Sequence, residues 1–102
     1  MPEGYSPRIL TSSIKAVTIG AADAVIAGFS SNRRRIEFHG TSGIFSWLLN
    51  GVVSAALQGI AVRADRPPIV FDRETHGELP SHEWHAFGGG AGEVIIVVEV
   101  FG

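Results

Sequence analysis

The sequence predicts an all-β domain: an antiparallel β-sandwich or jelly-roll-like barrel of about 7–8 short strands behind an extended N-terminal arm. Three observations predict it. Short segments rich in Val, Ile, Thr, Phe and Trp recur along the chain. Clusters of Gly, Asn, Ser and Pro separate them at intervals of roughly 8–12 residues. No segment keeps a helical period for the ~10–12 residues that a helix needs. The 102 residues fit one domain, and 45% hydrophobic content is enough apolar material for a core.

The elements follow in order. Residues 1–13, MPEGYSPRILTSS, contain two prolines and a glycine and show no period, so they read as the arm. Residues 14–102 form the sandwich domain. Ile14 to Ile19 is β-branched and reads as a strand. Gly20 to Asp23 is a turn and Ala24 to Ala27 a second strand. Ser30-Ser31-Asn32 is turn chemistry, since these side chains bond their own backbone. Arg34 to His39 alternates cleanly, with Ile36 and Phe38 on the dry side and Arg35, Glu37 and His39 on the wet one. A Gly40–Gly43 hairpin loop leads to a strand from Ile44 to Leu49, closed by Asn50-Gly51. Residues 52–61 suit either a short helix or a strand entrance, with Gly59 to Val62 the strand candidate. Pro67-Pro68 forces a loop before the short strand Ile69 to Phe71. Asp72 to His82 is polar and loop-like. His82 to Phe87 alternates, with Trp84 and Ala86 opposing Glu83, His85 and Phe87. After a Gly-rich turn at 88–92, the segment from Glu93 to Phe101 is apolar at both parities. It is expected to be central and covered on both faces. Ile36, Phe38, Phe45, Ile96 and Val98 are the expected core.

Charge narrows the function classes. The formal net charge is -2, and the halves differ: residues 1–51 carry five bases and three acids, residues 52–102 three bases and seven acids. A duplex-binding surface needs a dominant basic face. The run Arg33-Arg34-Arg35 on an acidic chain fits salt bridges within or between subunits better than a phosphate claw, so no nucleic acid is expected. There are no cysteines, which removes disulfides and thiolate sites. MPEGYSPRIL has no apolar signal region, and the longest apolar run, Val94 to Val98, falls far short of the ~20 residues of a membrane helix. A soluble protein, or a component of a soluble assembly, is expected.

Chemistry finds little purchase. His76, His82 and His85 lie close together with Glu78 and Glu83, and they are the natural candidates for a metal. SHEWHAF, however, spaces its histidines at i and i+3, not i and i+4 as in zinc peptidases. On a strand, His82 and His85 would point to opposite faces. A cupin-like site needs His-x-His, which is absent. There is no Gly-x-Ser-x-Gly elbow. The triple glycine at 88–90 precedes a strand, not the helix a phosphate loop requires. No cofactor and no enzymatic activity are expected. Carbohydrate stacking on Trp47, Trp84 or Tyr5 is offset by the strand-like alternation, which sends at least one tryptophan to the core.

The order of elements has a resemblance. Asn32-Arg33-Arg34-Arg35-Ile36-Glu37-Phe38-His39, the Gly40–Gly43 hairpin, the Ile44–Leu49 strand, Gly59 to Val62, Pro68 to Phe71 and the closing Gly88–Val100 stretch resemble small β-sandwich virion proteins of tailed bacteriophages. The resemblance covers residues 14–102. It rests on turns and patterning, and it does not extend to Trp47 or the 76–85 segment. It implies a capsid decoration, or cement, protein on the outer capsid surface of a virion, made in the host bacterial cytoplasm. Its partners would be the major capsid protein and itself, as a homotrimer. The partner-facing residues on this reading are Tyr5, Arg8, Ile9, Leu10, Arg33, Arg35, His82 and His85. A phage tail or fibre accessory module is the alternative within the virion. A cupin-like metal or ligand binder using the 76–85 histidines is the alternative outside it.

Overall fold

The computed structural model describes residues 10–20, 22–51, 59–88 and 92–102. Eight strands form two antiparallel sheets: β1 (Thr11–Ile19), β2 (Ala24–Ala27), β3 (Arg33–Gly40), β4 (Ser46–Leu49), β5 (Ile60–Val62), β6 (Ile69–Asp72), β7 (Trp84–Gly88) and β8 (Glu93–Phe101). One sheet runs β1-β8-β3-β6 and the other β2-β7-β4-β5. Consecutive strands alternate between the sheets except β4 and β5, which pair within one, and the two strand orders are those of a jelly roll. The all-β sandwich expected from the sequence is the fold observed.

The core lies between the sheets. Ile36 and Phe38 of β3, Ile95 and Val97 of β8, Leu48 of β4, and Trp84 and Ala86 of β7 are almost fully buried. Phe38 and Phe71 both pack on Trp84, with ring centroids 5.4 and 4.8 Å away. The indole N–H of Trp84 donates to the Leu79 carbonyl at 3.1 Å, so the large ring is buried without an orphaned donor. Gly40 is required where β3 passes the segment after β5: a Cβ there would stand 2.5 Å from the Arg63 backbone. Gly59, at φ +86°, sits where a Cβ would collide with the Leu48 carbonyl.

Several expectations need correction. Residues Thr11 to Ser13 do not belong to the arm; they pair with Phe101 to Glu99 as the start of β1. The fourth strand begins at Ser46, not Ile44. The 72–82 stretch is not only loop: Asp72 caps a single helical turn, α1 (Arg73–His76), by accepting from the Thr75 N–H at 2.7 Å, and a 3₁₀ turn follows at Leu79–Ser81. β8 is central in its sheet, but among the described residues only its inward face is fully buried. Its inward residues are Glu93, Ile95, Val97 and Glu99, so Ile96 and Val98 lie half-buried on the outside. Phe45 is also not core. It stacks on Trp47, 5.5 Å between centroids, under the guanidinium groups of Arg63 and Arg66. Residues 52–58 of the ambiguous segment lie outside the described residues.

Candidate functional site: the arginine run and the histidine segment

The three arginines part company at a break in register. β3 pairs Arg33 with Phe101 and Arg35 with Val100, so an irregularity separates the two and reverses the alternation that would have put them on one face. Arg33 turns inward and is 1% exposed. Its Nε donates to the Pro80 carbonyl at 2.6 Å, its Nη1 to the Gly28 carbonyl at 2.9 Å and to Glu99 at 3.0 Å, and its Nη2 to the His82 carbonyl at 2.6 Å. Glu99 also takes Lys15 at 3.3 Å. The Arg33 fork thus ties β3, β8, the end of β2 and the 3₁₀ segment together. Expected at a partner's surface, it is engaged within its own chain. The guanidinium suits this place because five fixed donors can meet several carbonyls and a carboxylate at once.

Arg35 turns outward. Its Nε donates to Glu37 at 2.7 Å, and Glu37 also meets His39 Nε2 at 3.0 Å. The Arg35 hydrogen bond, helped by His39, holds the Glu37 carboxyl below its ordinary range. Arg34 reaches Glu74 at 3.7 Å. Arg34, Arg35 and Arg73 line an open groove of about 320 Å³ with Leu10 and Val100, and Asp72 and Glu74 share it. Arg34 and Arg35 thus each meet an acid of their own chain, while Arg73 donates to the Ser31 and Arg33 carbonyls.

The histidines do not converge. His76 Nδ1 accepts the Asp72 N–H at 3.1 Å and its ring meets the edge of Phe71. His82 Nδ1 pairs with the Asn50 amide at 3.0 Å. His85 projects from the outer side of β7, yet is only 7% exposed. Its Nδ1 lies 2.9 Å from Asp23 and its Nε2 2.7 Å from Glu83. Burial pulls the His85 pKa down, but the hydrogen bonds and charges of Asp23 and Glu83 outweigh it, and the net shift is upward from 6.5. A carboxylate on each ring nitrogen favours the protonated form of the imidazole. Among the described residues, no group of three or more His, Asp or Glu side chains is placed to hold a metal ion. Of the other residues assigned to a partner, Leu10 is 52% exposed, while Tyr5, Arg8 and Ile9 lie outside the described residues.

The sequence missed Glu93. It is 4% exposed, and neither carboxylate oxygen has a hydrogen-bond partner among the described residues. Among the described residues, no helix is long and apolar enough to cross a membrane.

No family model and no curated protein matches this chain. A solved structure of Bacillus endospore appendages, which form a family of disulfide-linked pili, is similar in fold. Its TM-score is 0.52 at 13% sequence identity, over 91% of this chain and 86% of that one. The likeness is one of architecture, and this chain has no cysteine with which to form a disulfide.

Proposed function

We propose that this protein is a non-enzymatic structural subunit that works by assembly, and specifically a capsid decoration protein of a tailed phage. The observation that carries the reading is the division of labour among its side chains. Arg33, His76, His82 and His85 are engaged by partners in their own chain. Large apolar side chains meanwhile stand at the surface: Ile14 is 72% exposed, Phe29 69%, Ile44 53% and Val25 52%. Apolar surface of this kind marks protein–protein contacts where it is contiguous, and on this reading these are the side chains that a partner covers. Such a protein acts by binding one state of a shell and not its precursor, which stabilises that state by mass action. The major capsid protein and further copies of the chain are its partners on this reading, and the outer surface of the virion is its place.

Self-assembly into a fibre is the second reading. It is favoured by the fold shared with a protein from pilus-like appendages, although the disulfide linkage named for those pili has no counterpart here. Co-sedimentation separates the two. The purified chain is mixed with expanded and with unexpanded shells built from a tailed-phage major capsid protein. Saturable binding to expanded shells alone is the expected result. Fibres of the chain by itself, with no shell binding, overturn the capsid assignment and establish the second reading.

A further inference from the structure

Among the described residues the sandwich has four strand edges, and three of them are blunted. β2 is four residues long and its register with β7 shifts between Val25 and Ala27. β5 is three residues long. β6 is four residues long, enters from Pro67-Pro68 and ends at Asp72, which caps α1. Short length, irregular register and proline are the usual means by which proteins keep sheet edges from pairing.

β1 has none of them. It is nine residues long and pairs with β8 without a register shift from Thr11–Phe101 to Ile19–Glu93. It contains no proline or glycine. Its one charge, Lys15, is directed to Glu99 inside the same sheet. Every residue from Thr11 to Ala16 is exposed, and among the described residues nothing pairs with the edge away from β8.

We propose that β1 is a docking edge for a second copy of this chain, the two β1 strands pairing antiparallel about a two-fold axis at Ile14. This rests on the assembly reading and gives it a surface. Charge sets the register. A two-fold at Lys15 would place like charges directly opposite, which is destabilising. A two-fold at Ile14 sets Lys15 against the partner's Ser13, and Ala16 against the partner's Ser12. It brings the most exposed large apolar side chain of the described residues onto its own copy. The outer apolar row of β8, with Ile96 and Val98 beside Ala16 and Ile14, then continues across the seam. The alternative of β1 joining the partner's β6 offers only a four-residue strand bounded by Pro67-Pro68 and α1. Strand addition of this isologous kind gives twos, not the threes that the phage resemblance implies. An edge contact falls at the low end of specific interfaces, below ~1,200 Å², so the pairing is concentration-dependent.

The absence of cysteine makes a clean test. Opposite residues of an antiparallel pair have Cα atoms about 4.5–5.5 Å apart, inside the range of a disulfide. Ile14→Cys is therefore expected to give a reductant-sensitive dimer under mild oxidation. Ser12→Cys, whose partner copy lies roughly 14 Å along the strand, is expected to remain monomeric. Ile14→Lys lowers the dimer fraction of the cysteine-free chain in native mass spectra and leaves its melting curve unchanged. Equal cross-linking at both positions, or none at either, overturns the proposal. A chain that binds shells yet never links through Ile14 loses this edge and keeps the decoration reading. One that links through Ile14 and binds no shell does the reverse.

Discussion

β8 buries a glutamate near each end on the same inward face, and the two meet opposite surroundings. Glu99 receives Arg33 at 3.0 Å and Lys15 at 3.3 Å. Glu93, just as inaccessible, has two carboxylate oxygens with no partner among the described residues. One end of the strand is therefore pinned by charge, and the other carries a buried carboxyl that no described residue offsets. Taking a carboxylate out of water costs several kcal/mol unless a cation and hydrogen bonds offset it. Glu99 and Glu93 show the offset present and absent on one strand, at equal burial.

Removing the pin gives the largest effect. Arg33→Met leaves Glu99 buried with only the half-exposed Lys15, and leaves the Gly28, Pro80 and His82 carbonyls without their donor. The expected cost is about 3–5 kcal/mol, read as a fall in the urea midpoint. Arg35→Met, which breaks an exposed contact with Glu37, is expected to cost about 1 kcal/mol or less. Adding Glu99→Leu to Arg33→Met should restore part of the loss, because the orphaned charge is then gone. An Arg33→Met protein as stable as the parent would show that the network adds nothing.

This contrast marks the limit of what the residues reveal on their own. Where one face was polar, parity was legible: Ile36 and Phe38 are fully buried opposite Arg35, Glu37 and His39, and Trp84 and Ala86 are buried as their alternation implied. In β8 both parities are apolar between the two glutamates. The acids then argue for the wrong side, and Ile96 and Val98 replace Ile95 and Val97 in the expected core. What reverses the reading is a cation delivered from β3. That delivery depends on the register break between Arg33 and Arg35, which no residue type announces. The site chemistry was illegible for the same reason. His85 and Asp23 are far apart in sequence and meet only because β2 pairs with β7.

The unpartnered end makes the second prediction, of smaller size and opposite sign. Glu93→Leu should raise the unfolding free energy by about 1–3 kcal/mol, since the desolvation penalty of the carboxylate disappears. Glu99→Leu should lower it, because Arg33 is then the buried charge left alone. The same substitution at two positions of one face thus moves stability in opposite directions. If both variants lose stability in urea, Glu93 has a partner in the folded protein and the two ends are alike.

His85 carries the comparison to a cation that pH can withdraw, and here the effect is smallest. Protonated, the ring gives one N–H to Asp23 and one to Glu83, as Arg33 gives to Glu99. Deprotonated, one nitrogen turns a lone pair toward a carboxylate, and that contact changes from attraction to repulsion. Because the folded pKa is raised above 6.5, this stabilisation is complete below pH 6.5 and is lost as pH rises through the folded pKa. The parent protein should therefore lose stability over that window, beyond any loss shown by His85→Gln, whose amide does not titrate. Thermal melts of both across the window decide it. Parallel curves would mean that burial, which pulls the pKa down, prevails over the two carboxylates, and that Arg33 holds its end because it cannot lose its proton.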